Sequence, residues 1–196
     1  IDFLAFSIHK MCGPSGMGGL WGKYELLDNL RTIQSGGQTI ANATYDSIEW
    51  AKPPARFEGG LGNFSGMMAT GAAIDYLSSF DMNEVHEHEI RLNQIMTDGI
   101  KDLPGVDIIG PENPKLRGGI CSVLMNELPP HDIALLLDEA AGVMVRSGQH
   151  CVHSWFNSRG FDNGSLRASA YLYNTEDEAR LFAETFAEAV HAFSAS

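Results

Sequence analysis

The sequence predicts an α/β protein that joins the end of a large sheet-based domain to a small C-terminal α/β domain with a mixed sheet. Residues 1–6 form an apolar run, which is typical of a strand buried inside a parallel sheet. Beyond residue 103 the elements follow the order β-β-α-β-β-α, which favours a mixed sheet covered by helices. A long helix separates the two patterns, and we place the boundary inside it, between domains 1–90 and 91–196.

The predicted large domain continues from its first strand into a glycine-rich turn at residues 12–19. A second strand is expected at 20–23 and a short helix at 24–29. Residues 31–63 show no sustained period, and such a long irregular stretch in a compact domain is usually functional. Small residues recur along the helix predicted at 65–79, where they permit close packing.

The predicted small domain follows a helix with an apolar face at residues 83–103. Thr175 is expected to cap the last helix, and the acidic residues that follow it suit the positive end of the helix dipole. The remaining elements are strands at 106–109, 119–125, 143–146 and 167–173, and helices at 130–141 and 176–193.

Charge and composition exclude several classes of function. The 25 acidic residues outnumber the 13 basic ones and give a net charge of −12. This balance argues against a nucleic-acid partner, because phosphate backbones select basic surfaces. No apolar run approaches the roughly 18 residues of a membrane span, and no secretory signal is visible. The three cysteines form no CxxC pair, so we expect free thiols in a cytoplasmic protein.

Lys10 is the first candidate catalytic residue. It ends the first strand, where desolvation of its ammonium group would lower its pKa and favour Schiff-base chemistry. Ser7 and His9 beside it are donors for a phosphate, and the glycines that follow allow the backbone to approach a ligand closely. On spacing alone, a surface lysine beside a turn is the alternative.

Cys151 is the second candidate. A free cysteine beside His150 and near Arg146 is placed for stabilisation of its thiolate, and a helix that begins nearby would add to this effect. A buried structural cysteine is the alternative. Arg167 stands at the start of an apolar strand and is placed to bind a substrate carboxylate through two parallel hydrogen bonds. Its alternative is an ion pair with a surface acid.

Two other patterns predict no site by themselves. His86 and His88 lie two residues apart in a helix and point to different sides, so no metal site is predicted. The glycines within residues 56–63 indicate a plain loop when they are taken alone.

These segments occur together in an order that resembles one known family. Residues 2–16 (DFLAFSIHKMCGPSG) resemble the cofactor-lysine segment of class V aminotransferases, and residues 56–59 (RFEG) resemble the segment before a helix at their dimer interface. Residues 146–151 (RSGQHC) resemble the active-site cysteine segment of the group II cysteine desulfurases and selenocysteine lyases. Residues 167–169 (RAS), followed by 173–175 (YNT), resemble their substrate-arginine segment. The resemblance covers essentially the whole chain.

The resemblance implies the fold type I architecture of enzymes that use pyridoxal phosphate, with the first part of this chain ending the large cofactor domain. Lys10 would bind the cofactor covalently, and Ser7 and His9 would contact its phosphate. Lys10 would also shuttle a proton, while the cofactor serves as an electron sink.

For the reaction, the resemblance implies a cysteine desulfurase. Arg167, with Arg146 as a helper, would bind the carboxylate of L-cysteine. Cys151 would attack the substrate sulfur and keep it as a persulfide, and L-alanine would be released. The sulfur would then pass to an acceptor protein, with iron–sulfur cluster assembly as one destination.

The resemblance also implies partners and leaves alternatives open. Family members are homodimers, and their first half carries cofactor contacts that these 196 residues lack. We therefore expect a missing N-terminal half, and weak cofactor binding by these residues alone. Selenocysteine lyase, another class V aminotransferase in which Cys151 is incidental, and a non-catalytic fragment or pairing subunit are the alternatives.

Three residues depart from the family pattern. Ile8 replaces a small residue beside the cofactor lysine, and its branched side chain is expected to crowd the cofactor or restrict the backbone. Leu61 replaces a threonine that reaches the cofactor phosphate of the other subunit, and leucine cannot donate that hydrogen bond. Gln149 replaces a frequent histidine, which lowers the expectation of acid–base chemistry at that position.

Overall fold

A computed structural model describes residues 1–126 and 128–194 and divides the chain into two compact units, Ile1–Phe80 and Asp81 onward. The boundary therefore falls at residue 80, whereas the sequence placed it at residue 90, inside a long helix. The structure keeps that helix whole, as the first element of the second unit.

The first unit contains two antiparallel hairpins. Strand β1 pairs with β2, and β3 pairs with β4. The second hairpin lies within the stretch for which the sequence predicted no regular element. The elements of this unit are β1 (Phe3–Ser7), β2 (Gly18–Gly22), α1 (Tyr24–Asn29), β3 (Ile40–Ala43), β4 (Ile48–Trp50) and α2 (Phe64–Ser78), with short 3-10 turns at Ile8–Lys10 and Ala55–Phe57.

Strand β1 differs from the buried parallel strand that the sequence predicted. Its pairing with β2 is antiparallel, and Phe3, Leu4 and Phe6 are 40%, 48% and 38% exposed. In the described chain β2 is the only strand that pairs with it. The apolar character of residues 1–6 therefore predicted the strand correctly but not its surroundings.

The second unit has the predicted order of elements, with one added helix, α5. Its sheet has the strand order β5-β6-β8-β7, and the three pairings are antiparallel. The sheet among the described residues is therefore antiparallel, whereas the sequence predicted a mixed sheet, because the order of elements along the chain does not fix strand direction. Strand β7 begins at Arg146, three residues later than the sequence indicated (143). The elements are α3 (Met82–Ile100), β5 (Val106–Ile108), β6 (Ile120–Met125), α4 (Pro130–Ala141), β7 (Arg146–Gly148), α5 (His153–Ser158), β8 (Ser165–Ser169) and α6 (Glu176–Ser194).

The core of the second unit lies where α3, α4 and α6 cover the sheet. Burial of each large apolar side chain contributes about 1.5–3 kcal/mol. Fully buried Asn93 on α3 donates hydrogen bonds to the carbonyl oxygens of Gly118 and Ile120, which ties α3 to the start of β6. Side chains with no exposed surface in this core include Leu92, Ile100, Val123, Ile133, Leu137, Leu166, Phe186 and Val190.

Helix α6 begins with the predicted cap. The Oγ1 atom of Thr175 accepts from the backbone N–H of Glu178 at 3.2 Å, and the carboxylate of Glu178 accepts from the N–H of Thr175 at 2.8 Å. This reciprocal pair is a capping box, which satisfies two backbone donors at once. No helix in the described part of the chain combines the length and the apolar character that crossing a lipid bilayer requires.

Candidate active-site residues

Lys10 ends the 3-10 turn that follows β1 directly. The turn is anchored by Ile8, whose N–H donates to the carbonyl of Met17 and whose carbonyl accepts from the N–H of Gly13. The side chains of His9 and Lys10 are exposed, and within the described residues neither has a hydrogen bond or an ion pair. The structure therefore corrects the expectation of a desolvated lysine, because this amine is free and open to solvent.

Ile8 packs inward. It is 4% exposed, and its Cγ2 atom occupies the space that a side chain at position 13 would need. Gly13 thus makes room for the branched residue. Leu61, the second departure, lies on an exposed loop and is 86% exposed.

Residues 7–10 place three useful groups close together in the chain. Ser7 is half-buried at the end of β1, opposite Gly18, and His9 and Lys10 follow it on the 3-10 turn. A hydroxyl and an imidazole suit a phosphate, and a free amine suits an aldehyde. This donor set fits the cofactor that the sequence predicts.

Cys151 lies on a tight turn of residues 149–152. The N–H of Val152 donates to the carbonyl of Gln149 at 2.9 Å, and the two central residues, His150 and Cys151, have φ of +49° and +67°. Two positive φ values are the mark of a type I′ turn, which glycine and asparagine prefer. Cys151 is exposed, whereas Cys121 is the buried cysteine of this unit.

Arg146 contacts the candidate thiol. Its Nη2 atom lies 3.6 Å from Cys151 Sγ. Arg146 on β7 is the register partner of Arg167 on β8, so the two side chains share one face of the sheet. Within the described residues neither arginine forms a salt bridge, and the buried Nε of Arg167 has no hydrogen-bond partner. Because opposed like charges are destabilising, this pair favours an anionic ligand.

His150 is held neutral beside this pair. Its Nε2 atom lies 2.9 Å from the Oγ of Ser165, which is fully buried. Burial, followed by the positive charges of Arg167 and Arg146, lowers the pKa of His150 below its usual range. The imidazole therefore adds no third positive charge near Cys151 at neutral pH.

Sequence reasoning missed the contacts that hold the cysteine turn. The Nε2 atom of Gln149 donates to Asn157 Oδ1 at 2.8 Å and to the carbonyl of Asp162 at 3.1 Å. Gly164 has φ of +73°, and any side chain there would collide with the backbone of Gly148. The sequence signal was the spacing of glycines at 148, 160 and 164, which indicates tight turns around the cysteine.

Comparison with known proteins gives a consistent family. A family profile described as Aminotransferase class-V matches residues 1–182. A probable cysteine desulfurase of Streptomyces coelicolor is 39% identical over 177 residues, which are 90% of this chain and 42% of the relative. A cysteine desulfurase of Haloferax volcanii is 37% identical over 90% of this chain and 41% of its own length.

Solved structures agree with the sequence matches. The apo cysteine desulfurase of Thermococcus onnurineus is 35% identical with a TM-score of 0.89, and the match covers 97% of this chain and 47% of that one. The cysteine desulfurase CsdA of Escherichia coli is 28% identical, also with a TM-score of 0.89, over 98% of this chain and 47% of that one. The predicted fold class is confirmed, and the chain spans about half the length of the relatives it matches.

Proposed function

Because the chain belongs to the class V aminotransferase family, we propose that the complete gene product is a pyridoxal-phosphate-dependent cysteine desulfurase. In the net reaction, the Cys151 thiol and L-cysteine give a Cys151 persulfide and L-alanine. The carbon–sulfur bond of the substrate breaks, a sulfur–sulfur bond forms, and the substrate carbon gains the thiol proton. The reaction balances without an outside oxidant.

One observation carries this proposal within the family. An exposed cysteine thiol lies 3.6 Å from Arg146, and Arg146 faces Arg167 with no acidic partner for either among the described residues. An amino acid substrate carries the carboxylate that such a pair binds. We assign Arg167 to that carboxylate, Arg146 to a supporting contact, and Cys151 to attack on the substrate sulfur.

The amine chemistry is assigned to the first unit. Pyridoxal phosphate is the cofactor of this family, and when bound it supplies an electron sink. Lys10 Nζ would hold the aldehyde carbon of the cofactor, and Ser7 and His9 would hold its phosphate. Among the described residues the amine of Lys10 has no ion pair or hydrogen bond that would occupy it, and the same amine is our choice for moving the proton to the substrate carbon.

The partners belong to the same proposal. Relatives named as cysteine desulfurases support L-cysteine as the substrate, and we propose that the sulfur then passes to an acceptor protein. We further propose a homodimer in the cytoplasm, and the three unpaired cysteines support a reducing compartment. Because the relatives are about twice as long, we propose that the cofactor binds tightly only when the N-terminal half of the enzyme is also supplied.

Alanine and sulfide release by the complete gene product tests the proposal, with L-cysteine as substrate and an added thiol reductant that frees the persulfide sulfur as sulfide. Cys151→Ser should lower both products by roughly 10³-fold or more, because the nucleophile is lost, while the absorbance of the bound cofactor should persist. Lys10→Ala should abolish the part of that absorbance that depends on the covalent bond between the lysine and the cofactor. Cys12→Ser, which removes another exposed thiol, is the matched control and should retain activity.

Other outcomes would favour the alternatives. Transamination that survives Cys151→Ser, without sulfide release, indicates an aminotransferase of other specificity. Faster turnover of selenocysteine than of cysteine indicates a selenocysteine lyase. A complete gene product that neither binds the cofactor nor releases alanine contradicts an enzymatic function.

A further inference from the structure

The turn that carries Cys151 is strained. Its two central residues both have positive φ, and neither is glycine. A non-glycine residue held in this region costs on the order of 1–3 kcal/mol and persists only where its surroundings fix it. The surroundings of residues 149–152 must therefore supply that constraint.

Gln149 supplies one part of it. Both hydrogens of its side-chain amide are used, one on Asn157 Oδ1 in α5 and the other on the carbonyl of Asp162. A single side chain thus ties the first residue of the turn to two points of the segment that precedes β8. A neutral histidine carries only one N–H and cannot make both bonds, so this hold depends on the residue in which the chain departs from the family pattern.

The opposite side of the turn is held separately. The imidazole of His150 meets Ser165, and the backbone of Gly148 lies against Gly164, where any side chain would collide. Ser165 is the first residue of β8, and Gly164 comes directly before it. Leu166 and Ala168 of this strand belong to the closed core. With this side fixed to β8, the amide contacts of Gln149 complete the constraint on the cysteine turn.

We propose that Gln149 is a positioning residue that fixes this turn and aims Cys151 Sγ at the substrate sulfur, an inference that builds on the proposed desulfurase function. Gln149 itself touches neither the thiol nor the substrate-binding arginines in the described contacts. Its loss should therefore change the rate of the chemical step and leave substrate binding in place.

Steady-state kinetics of the complete gene product test this role. Gln149→Ala should lower kcat for alanine formation about tenfold, since misplacement of a reacting atom by 1 Å can cost roughly 10²-fold. The KM for L-cysteine should stay within about twofold, because Arg146 and Arg167 are untouched. Gln149→His should give an intermediate kcat. The exchanged pair Gln149→Asn with Asn157→Gln preserves the combined length of the two side chains but not the reach to the Asp162 carbonyl, so it should restore part of the lost kcat, to about the level of Gln149→His.

A second measurement needs no turnover. The N–H of Val152 closes the turn, so its hydrogen exchange reports the turn directly. Gln149→Ala should speed this exchange about tenfold, and the exchanged pair should restore part of the protection, because it rebuilds one of the two bonds. Gln94→Ala is the matched control. It removes a 2.8 Å hydrogen bond from a side-chain amide to the Asp98 carboxylate on α3 and should change neither measurement.

The outcomes separate the two proposals. If wild-type protein releases no alanine, the desulfurase function is contradicted. Loss of amide protection at Val152 in Gln149→Ala would, even then, support the claim that Gln149 fixes the turn. A kcat for Gln149→Ala within about twofold of wild type overturns the positioning role. So does a fall in kcat for Gln149→Ala that neither the exchanged pair nor Gln149→His lessens.

Discussion

The two units bury their apolar side chains to different extents. In the second unit, three helices cover the sheet, and side chains such as Phe186 and Leu166 have no exposed surface. In the first unit the buried apolar side chains are those of Ile8, Pro53, Ala73 and Leu77, while many others are half exposed or more. The candidate thiol of Cys151 therefore belongs to a unit with a closed core. The candidate amine of Lys10 belongs to a unit of two-stranded hairpins that has little core of its own.

Separate expression of the two units tests this difference in burial, and it should give the largest effect on stability. We expect residues 81–196 to unfold cooperatively on their own, because their core residues all lie within that unit. Residues 1–80 should show no cooperative transition, since two-stranded hairpins are marginal in water without a further apolar layer. Urea unfolding followed by circular dichroism distinguishes the two. A sharp transition from residues 1–80 alone would contradict the contrast.

Two leucines that differ in burial extend the comparison of the two units to single side chains. Leu166→Ala removes a fully buried side chain from β8 and should lower the free energy of unfolding by about 2–5 kcal/mol. Leu20→Ala changes a β2 residue that is 58% exposed and should stay within about 0.5 kcal/mol. Chemical denaturation of the complete gene product measures both. Equal effects would mean that Leu20 is buried in the complete gene product.

Replacement of Arg56 should cause a smaller loss of stability that is confined to the first unit. Its guanidinium donates to the carbonyls of Ala51 and Asp28 and to the carboxylate of Asp28, and its side chain is 12% exposed. Arg56→Ala should destabilise this region by about 1–3 kcal/mol, because it leaves part-buried acceptors without partners. Faster amide exchange within residues 24–57, with the second unit unchanged, is the expected result.

Lys52→Ala is the control for that change. Lys52 pairs with the same Asp28 carboxylate, but its side chain is 71% exposed, and exposed ion pairs contribute only about 0–1 kcal/mol. If Lys52→Ala sped amide exchange as much as Arg56→Ala does, the part-buried contacts of Arg56 with backbone carbonyls would not be the cause.

Local signals in the sequence predicted the second unit best. Helices α3, α4 and α6 are long enough to show an apolar period, and Thr175 was predicted as the cap of α6. Helix α5 has six residues, too few for a period to develop. The strands β3 and β4, which lie in a glycine-rich stretch, are also too short for a period to show in the sequence.

The candidate site was only partly predictable, because its geometry depends on contacts between distant residues. The identities of Lys10, Cys151 and Arg167 came from motif resemblance. That Arg146 faces Arg167 depends on the register of β7 and β8, which hydrophobic alternation in a three-residue strand cannot fix. The bonds of Gln149 to Asn157 and Asp162 join separate turns and leave no periodic trace in the sequence.

The smallest expected effect concerns His150. Burial and the two arginines hold its pKa below the usual range in the folded chain, so below about pH 6.5 the unfolded chain binds more protons at this residue. Stability should therefore fall as the pH drops through this window and rise as the pH increases. His150→Asn, which tolerates positive φ, should flatten the dependence of the unfolding free energy on pH between about 5 and 7. His191→Asn, an exposed change on α6, is the control. A wild-type protein that gains stability on acidification relative to His150→Asn would contradict the neutral imidazole beside the two arginines.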